Sequence, residues 1–121
     1  MIIEKFVTID EGQMSRLGKC DWSVARLITL SKDFEVFEIP LKHLNVFYQY
    51  EKLTLREMVM HMEAANNSDL SYPIILDEDG EVMDGRHRIM KALLTKEKSI
   101  KAVRFDKNPS ACVYRDVGVN E

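Results

Sequence analysis

Apolar and polar side chains alternate in two six-residue segments of the chain, 34–39 and 100–105. A period of two is typical of a half-buried β-strand, because successive side chains point to opposite faces of a sheet. Pro40 directly follows the first segment and lacks the amide hydrogen that a sheet ladder needs, so it ends that strand. We therefore predict strands over both segments, with Lys101 and Arg104 near the surface of the second.

Two other segments repeat their apolar residues with the period of an α-helix. Asp21 is placed to cap a helix over 22–30. The face of this helix that we expect to be buried holds Val24, Leu27, Ile28 and Ser31. Thr54 and Glu57 form a capping box that begins a second helix, which ends at 66–69. We predict that the second helix packs in the core through a stripe of Leu55, Met58, Val59, Met62 and Asn66, with Ala65 at its edge.

The segment 72–105 predicts a strand–turn–strand–helix–strand unit. Its parts are an apolar strand over 73–76, a turn over 77–80, a strand over 81–83, a helix over about 86–96 and the strand at 100–105. Gly80 suits the positive φ of a tight turn, and Asp84 with Gly85 leads the chain into the helix. The apolar side of that helix holds Ile89, Ala92 and Leu93. These elements predict an α+β fold with a small mixed sheet and packed helices.

The chain has 121 residues and a formal net charge of −3. This length predicts one domain, 1–121, with a core of about 34–105 and an irregular arm over 106–121. No apolar run approaches the ~18 residues of a membrane span and the N-terminus does not suit a signal peptide, so we predict a cytoplasmic protein without membrane contact. The two cysteines, Cys20 and Cys112, are expected to be free thiols. The acidic balance predicts DNA binding only through a partner or a local basic patch.

Gly85, Arg86, His87 and Arg88 stand where a strand passes into a helix. A helix start leaves backbone amides without partners and carries partial positive charge, and glycine allows a close approach of the backbone. Arginine grips phosphate oxygens with paired hydrogen bonds, and histidine can donate to phosphate or carry a proton. We therefore predict a phosphate-binding site at these four residues.

Cationic side chains in a first helical turn oppose the helix dipole, so their presence there favours a bound anion. The alternative is that these cations pair with nearby carboxylates, those of Asp77, Asp79 or Asp84. Asp84 could cap the helix or meet a magnesium ion that a nucleotide brings. Lys52 and Arg56 flank the start of the second helix, and they could reach the same phosphate or remain solvated.

The segment 72–92, with Asp84, Gly85, His87 and Arg88 opening a helix, resembles the ParB/sulfiredoxin superfamily. Ile39-Pro40-Leu41 resembles the upstream box of that domain, and the resemblance covers about 36–105. It implies a nucleotide ligand, CTP or ATP with magnesium, because partition proteins use CTP, sulfiredoxins use ATP and some relatives phosphorylate serine. It also implies that the turn at 85–88 holds the phosphates.

The departures from the family narrow what the resemblance implies. Sulfiredoxins have cysteine after the glycine where this chain has Arg86, which argues against sulfinic acid reduction. ParB proteins generally have Glu and then Arg where this chain has Arg86 and His87, which puts hydrolysis of the ParB kind in question. Only 16 residues follow Phe105, too few for the DNA-reading domain of a partition protein. The chain therefore resembles a stand-alone N-terminal module.

The leading hypothesis is a nucleotide- or phosphate-binding module. If it is an enzyme, the expected reaction is phosphoryl transfer or nucleotide hydrolysis, with His87 or Asp84 handling the proton. One alternative is a non-catalytic regulatory or interaction module. The other is a DNA-associated protein or nuclease component, which a continuous basic stripe would favour. That stripe would join Arg86, Arg88, Lys91, Lys101 and Arg104. We predict no metal site in the protein itself, and we take His61 as a packing or solvent-facing residue.

Overall fold

A computed structural model describes residues 14–17, 20–45, 52–110 and 113–114, and places the side chains of 22–45 and 52–110. The elements are, in order, β1 (Met14–Leu17), β2 (Cys20–Ser23), α1 (Val24–Ser31), β3 (Phe37–Pro40), a 3-10 helix (Leu41–His43), α2 (Leu55–Asn66), β4 (Ile74–Leu76), β5 (Val82–Asp84), α3 (Arg86–Leu94), β6 (Ser99–Arg104) and β7 (Val113–Tyr114). The protein is therefore of the mixed α+β class, as predicted.

Four strands form a mixed sheet in the order β3-β6-β4-β5. Strand β6 lies antiparallel to β3 and parallel to β4, while β4 and β5 form an antiparallel hairpin. Helix α3 carries the chain from β5 to β6, past the intervening β4. The small mixed sheet and the strand–turn–strand–helix–strand unit are thus confirmed. A second, antiparallel sheet of β1, β2 and β7 was not predicted.

The mixed sheet is buried on both faces because its strands alternate between two apolar clusters. One cluster, on the side of α3, contains Leu41, Leu44, Ile74, Leu76, Val82, Ile89, Ala92, Ile100 and Ala102. The other, on the side of α1, contains Trp22, Leu27, Ile75, Met83, Val103 and Phe105. Adjacent residues of β4, Ile74 and Ile75, therefore belong to different clusters. Burial on both faces explains why this short strand is continuously apolar.

Helix α2 packs against α3 rather than against the sheet, and Ala65 is its one fully buried residue. The predicted core stripe of this helix is wrong. Leu55 is 79% exposed, and Met58, Val59 and Met62 are about half exposed. Helical periodicity shows which residues share a face, but not whether another element covers that face. Leu93 of α3, also predicted to be buried, is 48% exposed for the same reason.

Several predicted boundaries differ from the structure. Helix α1 begins at Val24 and not at 22, because the Ser23 hydroxyl accepts the Arg26 amide as the cap, while Asp21 belongs to β2. Strand β3 begins at Phe37 rather than at 34. The capping box of Thr54 and Glu57 is confirmed, with both of its hydrogen bonds present.

The arm after 105 is only partly irregular. Residues 106–110 have no regular structure, but Val113–Tyr114 pairs with β2 as strand β7. The indole of Trp22 donates a hydrogen bond to the Pro109 carbonyl, which fastens the arm to the core. Cys112 and most of the predicted loop at 45–53 lie outside the described residues.

Candidate anion-binding site

Helix α3 begins at the end of the edge strand β5. Gly85 is the residue that caps the helix, with φ of +115°, and it has no side chain with which to bind the first amides. The Ile89 amide donates to the Gly85 carbonyl and begins the helical hydrogen-bond ladder, so the amides of residues 86–88 precede that ladder. The first turn contains no acidic residue. The predicted strand-to-helix junction is therefore present.

The conformation of Gly85 has a structural reason that the sequence did not show. A Cβ at this position would lie 2.5 Å from Ile74 Cγ2 and 2.8 Å from Ile74 Cβ. These separations are shorter than van der Waals contact, and the positive φ also disfavours any side chain. The sequence suggested that this glycine admits a bound group. Its missing Cβ instead allows the start of α3 to pack directly on β4.

Arg88 is held by the protein's own acceptors. One terminal nitrogen donates to Asp84 Oδ2 at 3.0 Å and to the Pro73 carbonyl at 3.3 Å. Both side chains of the ion pair are largely buried, with 21% exposed for Arg88 and 14% for Asp84. Asp84 does not cap the helix, since Gly85 holds that position, so the cap predicted for Asp84 is wrong. The ion pair instead ties the start of β4 to β5 and α3.

One polar atom of Arg88 takes no part in these contacts. Its Nε is buried and has no hydrogen-bond partner in the described part of the chain. Buried polar atoms nearly always have a partner in folded proteins, and one without a partner needs an explanation. Arg88 thus meets the predicted alternative of pairing with a carboxylate, and retains one donor that an anion could use.

His87 contacts a second histidine across the interface of α2 and α3. Its Nε2 lies 2.9 Å from Nδ1 of His61, and the two ring centroids are 5.2 Å apart. Burial of the ring lowers the pKa of His87, and the charge of His61 adds to the effect, while the Asp84 carboxylate opposes it. A hydrogen bond between two imidazoles requires an unprotonated nitrogen on one of them.

Sequence reasoning missed His61, which it took as a packing or solvent-facing residue. The two histidines are 26 positions apart, on helices whose packing no local pattern specifies. No signal in the sequence could have paired them without knowledge of how α2 lies on α3. In the described part of the chain, no three side chains of the kinds that bind metals converge on a common point, around this pair or elsewhere.

Arg56 lies in the first turn of α2, at the end of that helix that extends past the start of α3, and Lys52 precedes the helix cap by two residues. His61 contacts His87, and five residues later the Asn66 carbonyl accepts from Lys91, so α2 and α3 run in broadly the same direction. The stretch from Arg56 to His61 then spans roughly 8 Å of helix at ~1.5 Å per residue. The side chains of Lys52 and Arg56 are exposed. Arg56 is therefore on the side of the molecule where α3 begins.

The basic residues do not gather into one continuous stripe. Lys91 donates to the carbonyls of Asn66 and Ser68, and Arg104 donates to the carbonyl of Glu78. Lys101 alternates with Ile100 and Ala102, which point toward α3, so it faces the opposite side of the sheet. This arrangement does not favour a nucleic-acid surface.

No protein-family model matches the chain, and a search of curated proteins finds no match. The helices in the described ranges are too short to traverse a lipid bilayer.

Proposed function

We propose that the chain is a nucleotide- or phosphate-binding module of the ParB/sulfiredoxin type, with its phosphate site at the start of α3. One observation carries the proposal. The first turn of α3 combines amides that no capping side chain occupies with Arg86, His87 and Arg88, and contains no acid. The guanidinium groups of Arg86 and Arg88 each oppose the helix dipole by some tenths of a kcal/mol, and a bound anion would reverse that cost.

The residues around the junction fit a phosphate group. The amides of residues 86–88 would donate to its oxygens, as helix starts do in many phosphate sites. Arg86 and the spare Nε of Arg88 would add charged donors. Arg56, on the same side of the molecule, and Lys52, which precedes the cap of α2, would contact the outer phosphates of a longer nucleotide tail. A bound magnesium ion would neutralise part of the phosphate charge.

The acid–base groups are His87 and Asp84. A lowered pKa keeps the His87 ring neutral near pH 7, so it can accept a proton from an attacking hydroxyl or water. Asp84 Oδ2 is bound to Arg88, so its Oδ1 is the oxygen that would take a proton or a magnesium ion. If the module turns over a nucleotide, phosphoryl transfer or hydrolysis would therefore depend on His87 first.

A thermal-shift series tests the phosphate site. We expect CTP or ATP with magnesium to raise the melting temperature of the full chain, with smaller shifts for ADP and inorganic phosphate, because a ligand of the folded state stabilises it. Arg86→Glu should abolish the shift. Lys101→Glu makes the same change of charge on the opposite side of the sheet and should keep it. Flat melting curves with every ligand, or equal losses in both variants, would contradict the proposal.

A second candidate is a non-catalytic interaction module of the same fold. The exposed apolar face of α2 favours it, since a solvated helix usually presents polar side chains there. The thermal-shift series separates the two candidates: a shift with any nucleotide or phosphate would support the phosphate site, whereas flat melting curves with every ligand would favour the interaction module. If a shift is found, release of inorganic phosphate from CTP or ATP that His87→Gln removes would show that the module is an enzyme.

A further inference from the structure

Helix α2 presents an apolar stripe to solvent. We call Leu55, Met58, Val59 and Met62 the α2 stripe. These residues are spaced by three and four positions, so they form one face of the helix. Leu55 is 79% exposed, Val59 57%, Met62 53% and Met58 47%. Contiguous exposed apolar side chains of this kind mark interaction surfaces.

The face of α2 next to the stripe is fixed to the rest of the protein. Ala65 is fully buried, and His61 hydrogen-bonds to His87 of α3. Lys91 of α3 binds the carbonyls of Asn66 and Ser68 at the end of α2. The capping box of Thr54 and Glu57 orders its start. The α2 stripe therefore lies on a helix that is anchored at its middle and its end.

The charges beside the stripe are arranged for a second copy of the same helix. Arg56 and Glu63 are seven residues apart and follow the first and last members of the stripe, so they lie on the same flank. In an antiparallel pair of identical helices, the start of one lies against the end of the other. Arg56 then faces Glu63 of the second copy, and the two-fold axis repeats the ion pair.

The opposite orientation is less favourable. A parallel pair would place the two basic starts, each with Lys52 and Arg56, side by side together with the positive ends of both helix dipoles. The antiparallel pair opposes the dipoles and matches the stripe with itself, Leu55 against Met62 and Met58 against Val59. Sequence order along α2 thus selects one geometry.

We propose that a second copy of this chain packs against the α2 stripe in an antiparallel, two-fold symmetric contact. The contact requires no ligand, and it shares only Arg56 with the site proposed for a longer nucleotide tail. A helix of 12 residues is about 18 Å long at ~1.5 Å per residue. A contact through this helix alone therefore buries less surface area than the interface of a permanent dimer. The dimer is therefore reversible, and its population rises with protein concentration.

Sedimentation velocity of the full chain over a wide concentration range tests the dimer. The wild type should shift from monomer to dimer as its concentration rises. Val59→Glu puts a charge into the centre of the stripe and should leave only monomer. Met60→Glu is the matched control, because Met60 is similarly exposed, at 60%, but lies outside the stripe. It should dimerise as the wild type does. Far-ultraviolet circular dichroism verifies that both variants fold.

A charge exchange tests the orientation. Arg56→Glu and Glu63→Arg should each raise the dimer Kd, by up to about tenfold, because each places like charges together twice in the dimer. The variant with both changes restores opposite charges and should recover the wild-type Kd. A wild type that stays monomeric at every concentration, equal effects of Val59→Glu and Met60→Glu, or no recovery in the double variant would overturn the proposal.

Discussion

Gly85 shows how one missing Cβ determines the arrangement of two strands and a helix. Its positive φ turns the chain from β5 into α3, and the space that a side chain would need is filled by Ile74. Ile74 is itself fully buried, at the start of β4. The ion pair between Arg88 and Asp84 also links α3 to β5 at this junction. The start of α3 is thus positioned by contacts within the protein.

Replacing Gly85 by alanine should destabilise the fold by about 3 kcal/mol, through strain at positive φ and overlap with Ile74. Gly80→Ala is the matched control, because Gly80 also has a positive φ but a Cβ there would meet no other atom within 4 Å. It should cost about 1 kcal/mol. Urea denaturation measures both free energies of unfolding. If both variants lose the same free energy of unfolding, the overlap with Ile74 is relieved at little cost.

Arg88 illustrates how an observed structural contact and a predicted binding role can belong to one residue. The sequence predicted it as a phosphate ligand, with pairing to a carboxylate as the alternative, and the structure shows the pairing with Asp84. Its phosphate role stays a prediction that depends on the unpartnered Nε. Loss of Arg88 would remove its ion pair with Asp84 together with any phosphate contact, so a change at Arg88 alone cannot separate the two roles.

At the scale of elements, α2 and α3 meet through a pair of histidines that makes their contact sensitive to pH. The pKa of His87 is lowered in the folded protein, so the unfolded chain takes up the proton first as the pH falls. The charges of Asp84 and Arg88 act on His87, and the charges of Glu57 and His61 act on each other. The stability that a neutral His87 provides is present above the ordinary histidine pKa of ~6.5 and is lost as the pH falls toward the lowered value.

The free energy of unfolding should therefore decrease when the pH is lowered from about 7.5 to about 5.5, as measured by urea denaturation at each pH. His87→Gln removes the titrating group and should reduce this decrease. His43→Gln, at an exposed position outside the interface, should keep the dependence of the wild type. If His87→Gln leaves the pH dependence of the free energy of unfolding unchanged, other titratable groups are responsible for it.

The elements that the sequence predicted well are those that local patterns specify. The order of the unit over 72–105, the turn at Gly80 and the capping box at Thr54 depend on residues within a few positions of one another. Strand β6 was also predicted, with Lys101 and Arg104 at its surface. Turn chemistry and side-chain alternation are short-range properties, so a single sequence is sufficient to reveal them.

Features that depend on packing between distant elements could not be predicted. The α2 stripe has the spacing of a core face, yet the structure leaves it exposed. The contact of His61 with His87 depends on how two helices lie against each other. Strand β7 has only two residues and is defined by its pairing with β2. For these features, tertiary contacts decide between structures that the local pattern allows equally.

At the scale of the whole molecule, the only tryptophan links the C-terminal arm to the core. Trp22 is 3% exposed, packs in the cluster beneath α1 and donates to the Pro109 carbonyl. Residues from both ends of the described chain therefore meet at one side chain. Its fluorescence reports whether the arm is docked.

Removing residues 107–121 should shift the native emission of Trp22 to longer wavelength and lower the melting temperature. The deletion takes away both the acceptor of the indole hydrogen bond and strand β7, and a buried donor without its acceptor costs about 1–3 kcal/mol. Removing only 115–121 keeps Pro109 and β7 and should preserve the emission maximum. An unchanged spectrum after the longer deletion would show that the arm does not shield the indole.

The position of β6 between β3 and β4 has a consequence for how the protein is made. A ribosome releases β3, β4 and β5 before β6, so the strand that must join them is synthesised after all three. Until it emerges, β3 has no neighbour in the sheet, and the hairpin of β4 and β5 exposes an apolar edge. The sheet can therefore be completed only after β6 has emerged, and the nascent chain is most prone to aggregation just before Ser99–Arg104 leaves the ribosome.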